Sequence, residues 1–325
     1  MERLKLLSDH VRAIRWIQET YTTSRRYAHL LRETDTSSTL FISGFTSQWQ
    51  DITGITDKEM VDSGLLKSAF LFTTLWRLYD DYIDEQHQNG KIVSKEDTFH
   101  CEVGSRNAEA VEASLFSTIQ QSSLSTDRKS SAIRTIQSFK ESAFENHRQL
   151  IMVAGKPTDF ENILQLKYGI IGLLGLTYAR IYNTFFGIEG LKATGMEVAF
   201  RTAGIAGQFF DDLMDWYKDE GLRYNLFTSV LHEFPEEEHA LQAAIREKSI
   251  FNRYRTAQQY APHTLYKYNN LFDTEMANIP QIPAFTQFRR YVNNMYYRVM
   301  PFWSDITSHE NFTKRVMQFK TFFSA

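Results

Sequence analysis

Three aspartates and a glutamate fall within six positions of the stretch LYDDYIDE, residues 78–85. Asp80 and Asp84 are four residues apart, so on a helix they share a face, about 6 Å apart along the axis. Asp81 sits beside them and completes a DDxxD pattern. Carboxylates so placed suit hard divalent cations, which take oxygen ligands and keep bound phosphate in their shell. The preceding residues, GLLKSAFLFTTLWR, are strongly apolar, and Phe70, Phe72, Leu75, Trp76 and Tyr79 read as buried. A solvated helix end would account for the charges by themselves. Like charges closing a buried helix repel unless a cation sits among them, so the apolar approach favours metal binding.

The pattern returns in GIAGQFFDDLMDWYKDEGLRYNLFTS, residues 204–229. Asp211, Asp215 and Asp219 lie at i, i+4 and i+8, one helix face over about 12 Å. Phe209, Phe210, Leu213, Met214 and Trp216 surround them. Two such helices facing each other across a cavity would clamp one polyanion through several metal ions. Other metal chemistries fit less well. A phosphohydrolase of the HD type needs a His-Asp dipeptide, and none occurs. A di-iron bundle needs paired ExxH motifs, and Glu236 to His239 is a single one in an acidic stretch.

The elements that must position these carboxylates are helical. Apolar residues recur at helical spacing through 65–85, 130–152, 160–186, 196–218, 236–261 and 284–300, and near the start at Leu4, Leu7, Val11, Ile14 and Ile17. Six prolines and 15 glycines are few breakers for 325 residues. Breaks fall near 34–39, 88–95, 122–130, 155–159 and 280–283. No sustained alternation of period two is visible. The expectation is all-α, one domain over 1–325, with 1–60 as an N-terminal helical segment. A hydrophobic share of 42% supplies a substantial core.

Net charge of −3, without a long basic block, argues against nucleic acid or an anionic membrane as partner. Cys101 is the one cysteine, which excludes an internal disulfide and a Cys-rich zinc site. The start, MERLKLLSDH, has no apolar run of signal-peptide length, and GIIGLLGLTYA is too short to span a bilayer. A cytoplasmic protein without stable membrane insertion is expected.

On these motifs the sequence resembles the class I isoprenoid synthases, and within them the bacterial-type class I terpene cyclases, over roughly 65–295. YDDYIDE is similar to the aspartate-rich motif, and DDLMDWYKD (211–219) to the NDxxSxxKE metal motif, with Lys218 in register. Asp stands at 211, 215 and 219 where Asn, Ser and Glu are usual, which keeps oxygen at each position. YNLF (224–227) looks like the segment that follows that motif. Lys167 stands where the family carries a diphosphate-sensing arginine, and Arg290-Tyr291 where it carries an Arg-Tyr pair; Arg253-Tyr254 is a second such dipeptide, at a less fitting distance. Gly169, Gly172 and Gly175 after Lys167 would serve either a helix break at the cavity or close helix packing.

The resemblance implies the class I terpenoid synthase fold, a single large helical bundle around a central apolar cavity, and three Mg²⁺ ions held by Asp80, Asp81, Asp84, Asp211, Asp215 and Asp219. Lys167, Lys218, Arg223, Arg290 and Tyr291 would bind the diphosphate, with Asp80, Asp84, Lys167, Arg290 and Tyr291 acting in its departure. Arg223 would equally serve as an i+4 partner of Asp219. Phe72, Trp76 and Phe209 would face the prenyl chain, since aromatic faces stabilise a carbocation without attacking it. The substrate would be a prenyl diphosphate, the enzyme a carbon-oxygen lyase, and the assembly a homodimer. Chain elongation is the nearest alternative, because GIAGQFFDDLMD resembles the GxxFQxxDDxxD of elongating synthases. The basic segments that hold isopentenyl diphosphate in those enzymes are missing, so cyclisation is favoured. A non-catalytic synthase partner is a third reading, and it would be expected to have lost ligands from one cluster.

Overall fold

In the computed structural model the chain is built almost entirely of helices. The structure describes residues 46, 49–50, 52–103, 106–153, 160–216, 225–246, 253–281, 283–294 and 296–297. The N-terminal stripe from Leu4 to Ile17 lies outside them, as do Asp219, Lys218 and Arg223.

Helix α1 (Asp57–Asp62) starts at a capping box. The Thr56 hydroxyl accepts from the Glu59 amide, and the Glu59 carboxylate accepts from the Thr56 amide. Helix α2 (Leu65–Gln88) carries the first aspartate motif in its last two turns. Phe70, Phe72, Leu75, Trp76, Leu78 and Tyr79 are buried along it. Intrinsic preference does not explain this helix, since Thr73, Thr74 and five aromatic rings are indifferent formers. Each buried apolar side chain contributes about 1.5–3 kcal/mol, against at most about 0.7 kcal/mol of propensity difference. Burial decides it.

Helix α3 (Lys95–Phe99) begins at Ser94, whose hydroxyl accepts from the Asp97 amide. A short antiparallel ladder follows, pairing Glu102 with Asn107 and Val103 with Arg106. Two residues per strand are too few to show as alternation. Asn107 then caps α4 (Ala108–Gln121) by accepting from the Ala110 amide, and α5 (Thr126–Val153) comes next. Helix α6 (Phe160–Lys167) passes through a π-helical turn, Tyr168–Gly172, into α7 (Leu173–Phe186). Helix α8 (Gly190–Asp215) ends on the second aspartate motif. Helices α9 (Leu226–Leu231), α10 (Pro235–Arg246), α11 (Arg253–Tyr260), α12 (Pro262–Met276) and α13 (Pro283–Asn294) complete the described chain. The 236–261 stripe is thus two helices, and 95–99, 108–121 and 262–276 are helices that the periodicity did not announce.

These elements form two compact units. The described residues up to Ile151, with Leu173–Arg201, make the first; Met152–Gly172, with the described residues from Thr202 onward, make the second. In the first unit α2 packs along α4 and also meets α7. Its core is aromatic. Phe72 lies 5.0 Å from Phe139 and 5.2 Å from Tyr178, both edge to face, and the Thr73 and Tyr178 hydroxyls are hydrogen-bonded. A Cβ on Gly175 would overlap the Phe200 carbonyl, so α7 and the first half of α8 touch backbone to backbone. In the second unit α9 packs on α6 and α12, and Phe209 sits among Phe160, Tyr268 and Phe272. Of the two uses the sequence allowed for the glycine stripe, the structure shows packing at Gly175, while Gly169 and Gly172 lie in the π-helical turn through which the helix continues.

Candidate active site

The first motif lies on the outer part of α2, beyond its buried aromatic stretch. Asp80 is the most enclosed of the three aspartates, its side chain 22% exposed, while Asp81 and Asp84 are 42% and 47% exposed. Arg77, one turn earlier on the same helix, donates from Nη1 to Asp80 at 3.2 Å and from Nη2 to Asp81 at 2.9 Å. From α5 the buried His147 brings Nδ1 to 3.8 Å from Asp80 and Nε2 to 3.4 Å from Asp84. Trp76 packs between Phe139, at 5.4 Å, and the His147 ring, at 6.4 Å.

Burial pushes the Asp80 carboxyl above the usual carboxylate range. The nearby His147 opposes that shift, and the repulsion of Asp84 adds to it. A carboxylate held in this state gains strongly from added positive charge.

The second motif divides its labour differently. Asp211 is exposed at the end of α8 and Asp215 is half-buried. Asp215 meets Arg253 Nη1 at 3.3 Å, and the same nitrogen donates to the Met214 carbonyl at 2.8 Å. Between them Asp212 is buried and fully engaged. It accepts from the Leu226 amide at 2.7 Å and from Gln208 at 2.5 Å, and Lys167 Nζ lies 3.5 Å away. Its main-chain carbonyl accepts from Asn225, which in turn caps α9 through the Phe227 and Thr228 amides. Burial raises the Asp212 carboxyl, with Lys167 and the Leu226 amide pulling the other way. Asp212 is thus a tie between α6, α8 and α9.

Of the residues singled out in the sequence, the structure gathers Asp80, Asp81, Asp84 and Trp76 in one neighbourhood, with Phe72 one turn deeper. Lys167 is brought to Asp212. Phe209 is core, fully buried, with its carbonyl accepting from Tyr268. Arg290 is exposed on α13, which also carries Tyr291.

Three basic side chains beside the aspartates were given no site role in the sequence. Arg77 was visible as i and i+3 or i+4 to the aspartates. His147 interrupts the buried stripe of Ile136, Phe139, Ala143 and Leu150 on α5, where a titratable ring is out of keeping. Arg253 belongs to the Arg-Tyr dipeptide that spacing disfavoured.

The donor chemistry of the first motif suits Mg²⁺, which binds through one or two carboxylates and completes its shell with phosphate and water. Among the described residues, no group of three or more His, Cys, Asp or Glu side chains is arranged to hold a metal ion. No described helix is long and apolar enough to cross a membrane. A concavity of about 280 Å³ between α5 and α7 is lined mainly by hydroxyls, with Arg134 and Arg180.

The site and helices define an all-helical protein with paired aspartate motifs. No model of a known protein family matches the chain, and no curated protein matches it. Among solved structures, it is similar to the geranylgeranyl pyrophosphate synthetase from the archaeon Geoglobus acetivorans, with 13% identity and a TM-score of 0.48, covering 86% of this chain and 98% of that one.

Proposed function

We propose that this chain is a class I terpene synthase, a single-domain cytoplasmic enzyme that ionises a linear prenyl diphosphate and cyclises the resulting allylic cation. The observation that carries this reading is the pair Asp80 and Asp84, one turn apart and partly exposed just past a buried aromatic stretch of α2. Ionisation breaks the allylic C–O bond and leaves the electron pair on the diphosphate, so the protein must meet growing negative charge. Mg²⁺, three ions in the full reading, would supply that charge from Asp80, Asp81, Asp84, Asp211, Asp215 and Asp219.

Arg77 and Arg253, each already beside a motif aspartate, join Lys167, Lys218, Arg223, Arg290 and Tyr291 as candidates to hold the diphosphate. A guanidinium offers a forked set of donors to phosphate oxygens. Phe72 and Trp76 would present ring faces to the cation, and their burial favours the exclusion of water that a carbocation requires. The cascade ends by loss of a proton or capture of water, and the assembly is proposed to be a homodimer.

The test is incubation of the purified chain with geranyl, farnesyl, geranylgeranyl and geranylfarnesyl diphosphates, with Mg²⁺ or EDTA, and mass spectrometry of the organic extract. A cyclic product that vanishes with EDTA is expected. Longer diphosphates formed only when isopentenyl diphosphate is added would replace the proposal with chain elongation. No product from any of these substrates, with pyrophosphate binding retained, would replace it with a non-catalytic partner.

A further inference from the structure

His147 stands against the motif carboxylates without hydrogen-bonding to either. Its side chain is 7% exposed, and its Nδ1 is buried with no hydrogen-bond partner among the described residues. The approaches of 3.4 Å to Asp84 and 3.8 Å to Asp80 exceed the N–H···O range. The orphaned Nδ1 faces Asp80, the carboxylate that a ring N–H there would reach, since buried polar atoms are normally satisfied. Two ligands of one ion, each bound at about 2.1 Å, lie roughly 3–3.5 Å apart. The Nε2 to Asp84 distance falls in that interval. The other ring nitrogen faces Asp80, and a metal-bound histidine ordinarily gives its second N–H to a carboxylate that fixes the ring. The Trp76 ring lies beside it, 6.4 Å away between centroids.

We infer that His147 is a nitrogen ligand of the divalent ion at the first motif, bound through Nε2 beside Asp84, with Asp80 orienting the ring through Nδ1. This rests on the metal reading of that motif and changes its chemistry. A site with one imidazole donor discriminates against Mg²⁺, which prefers oxygen alone, and favours Mn²⁺ or Co²⁺, which accept nitrogen readily. The same arrangement gives α5 a part in the site, through a residue outside either aspartate motif.

The experiment uses Mn²⁺ as the probe on the full chain, with and without pyrophosphate, and needs no turnover. Electron spin-echo spectroscopy of bound Mn²⁺ is expected to show ¹⁴N modulation from a ligated imidazole. In His147→Ala, and separately in His147→Asn, that modulation should disappear while some Mn²⁺ stays on the carboxylates. Mn²⁺ affinity should fall roughly ten- to a hundredfold, and Mg²⁺ affinity by less. The unmodified chain carries the decisive spectrum, so a variant that folds poorly does not shield the inference. Mn²⁺ bound without ¹⁴N modulation overturns the nitrogen ligand and leaves the carboxylate clamp standing. Modulation that persists in both variants also overturns it, by assigning the signal to another histidine. No Mn²⁺ binding under either condition overturns the metal reading of the motif itself.

Discussion

The two aspartate motifs look alike as text and differ as structure. On α2 the carboxylates cluster beyond a buried aromatic stretch, and their neighbours, the Arg77 guanidinium and the His147 ring, approach from one helix turn away and from α5. On α8 the aspartate most deeply engaged is Asp212, the one outside the i, i+4, i+8 stripe, and it ties three helices together. Exposure separates the two uses. A carboxylate with a side chain 47% exposed at Asp84 can exchange one cation for another, whereas one 4% exposed at Asp212 is committed to its partners. A repeated acidic motif therefore does not imply a repeated role.

The largest effect should come from the structural member of the pair. Asp212→Ala removes the carboxylate beside buried Lys167 and the acceptor of the Gln208 and Leu226 donors, a loss of about 3–5 kcal/mol in urea unfolding. Lys167→Met in the same chain should recover part of it, because the lysine that faced Asp212 is removed with it. A loss within the range of a surface ion pair, under about 1 kcal/mol, would erase the contrast.

Asp84→Ala is expected to invert that pattern. Product formation from a prenyl diphosphate should drop by about 10²–10³-fold, with the helical circular dichroism unchanged. Full activity would remove the first motif from the site.

A smaller effect tests the packing behind the contrast. Gly175→Ala should cost about 1–3 kcal/mol, seen as a lower thermal midpoint, because the added methyl meets the Phe200 carbonyl and backbone cannot move aside as a side chain can.

The smallest concerns a carboxylate in neither motif. Glu237 on α10 accepts from the His263 and Thr264 amides at 2.9 and 2.8 Å, capping α12 from another helix. Burial pushes its carboxyl up, but the Thr264 hydroxyl and amide and the His263 amide outweigh this and hold it below the ordinary glutamate value. A carboxyl lowered by folding adds stability above its unfolded pKa and loses it as pH falls through the folded one. Glu237→Gln should cost about 1 kcal/mol at neutral pH, and the gap to the unmodified chain should close in acid. A gap that widens in acid would contradict this ordering of carboxylates.

Much of this was legible in the sequence because burial has a period. The stripes at 65–85, 130–152 and 160–186 became helices near the expected bounds, and α2 buried the residues its pattern named. Helix α12 escaped because Lys267, Asn269, Asn270 and Asp273 dilute its apolar positions, and α4 because small residues and serines do the same. The partners of the aspartates were harder to read. Arg77 is local, but His147 and Arg253 reach their carboxylates only through tertiary packing, which spacing along the chain does not encode. Asp211 and Asp212 illustrate the limit. Adjacent residues on a helix point about 100° apart, and the tertiary partners, Gln208 aside, decide which of the two is buried.

The π-helical turn at Tyr168–Gly172 has a consequence for how this segment tolerates insertion and deletion. Such a turn accommodates one more residue than an α-helical turn, acting as a rotary joint in the chain. Before it, Lys167 is phased toward Asp212; after it, Gly175 is phased toward Phe200. Deleting a single residue from the turn would restore an uninterrupted α-helix with the flanks in nearly the same phase, because four residues at about 100° each turn the chain about as far as five in the wider π turn. Loss of one residue within these five positions should therefore be tolerated better than loss of one from a regular α-helical turn.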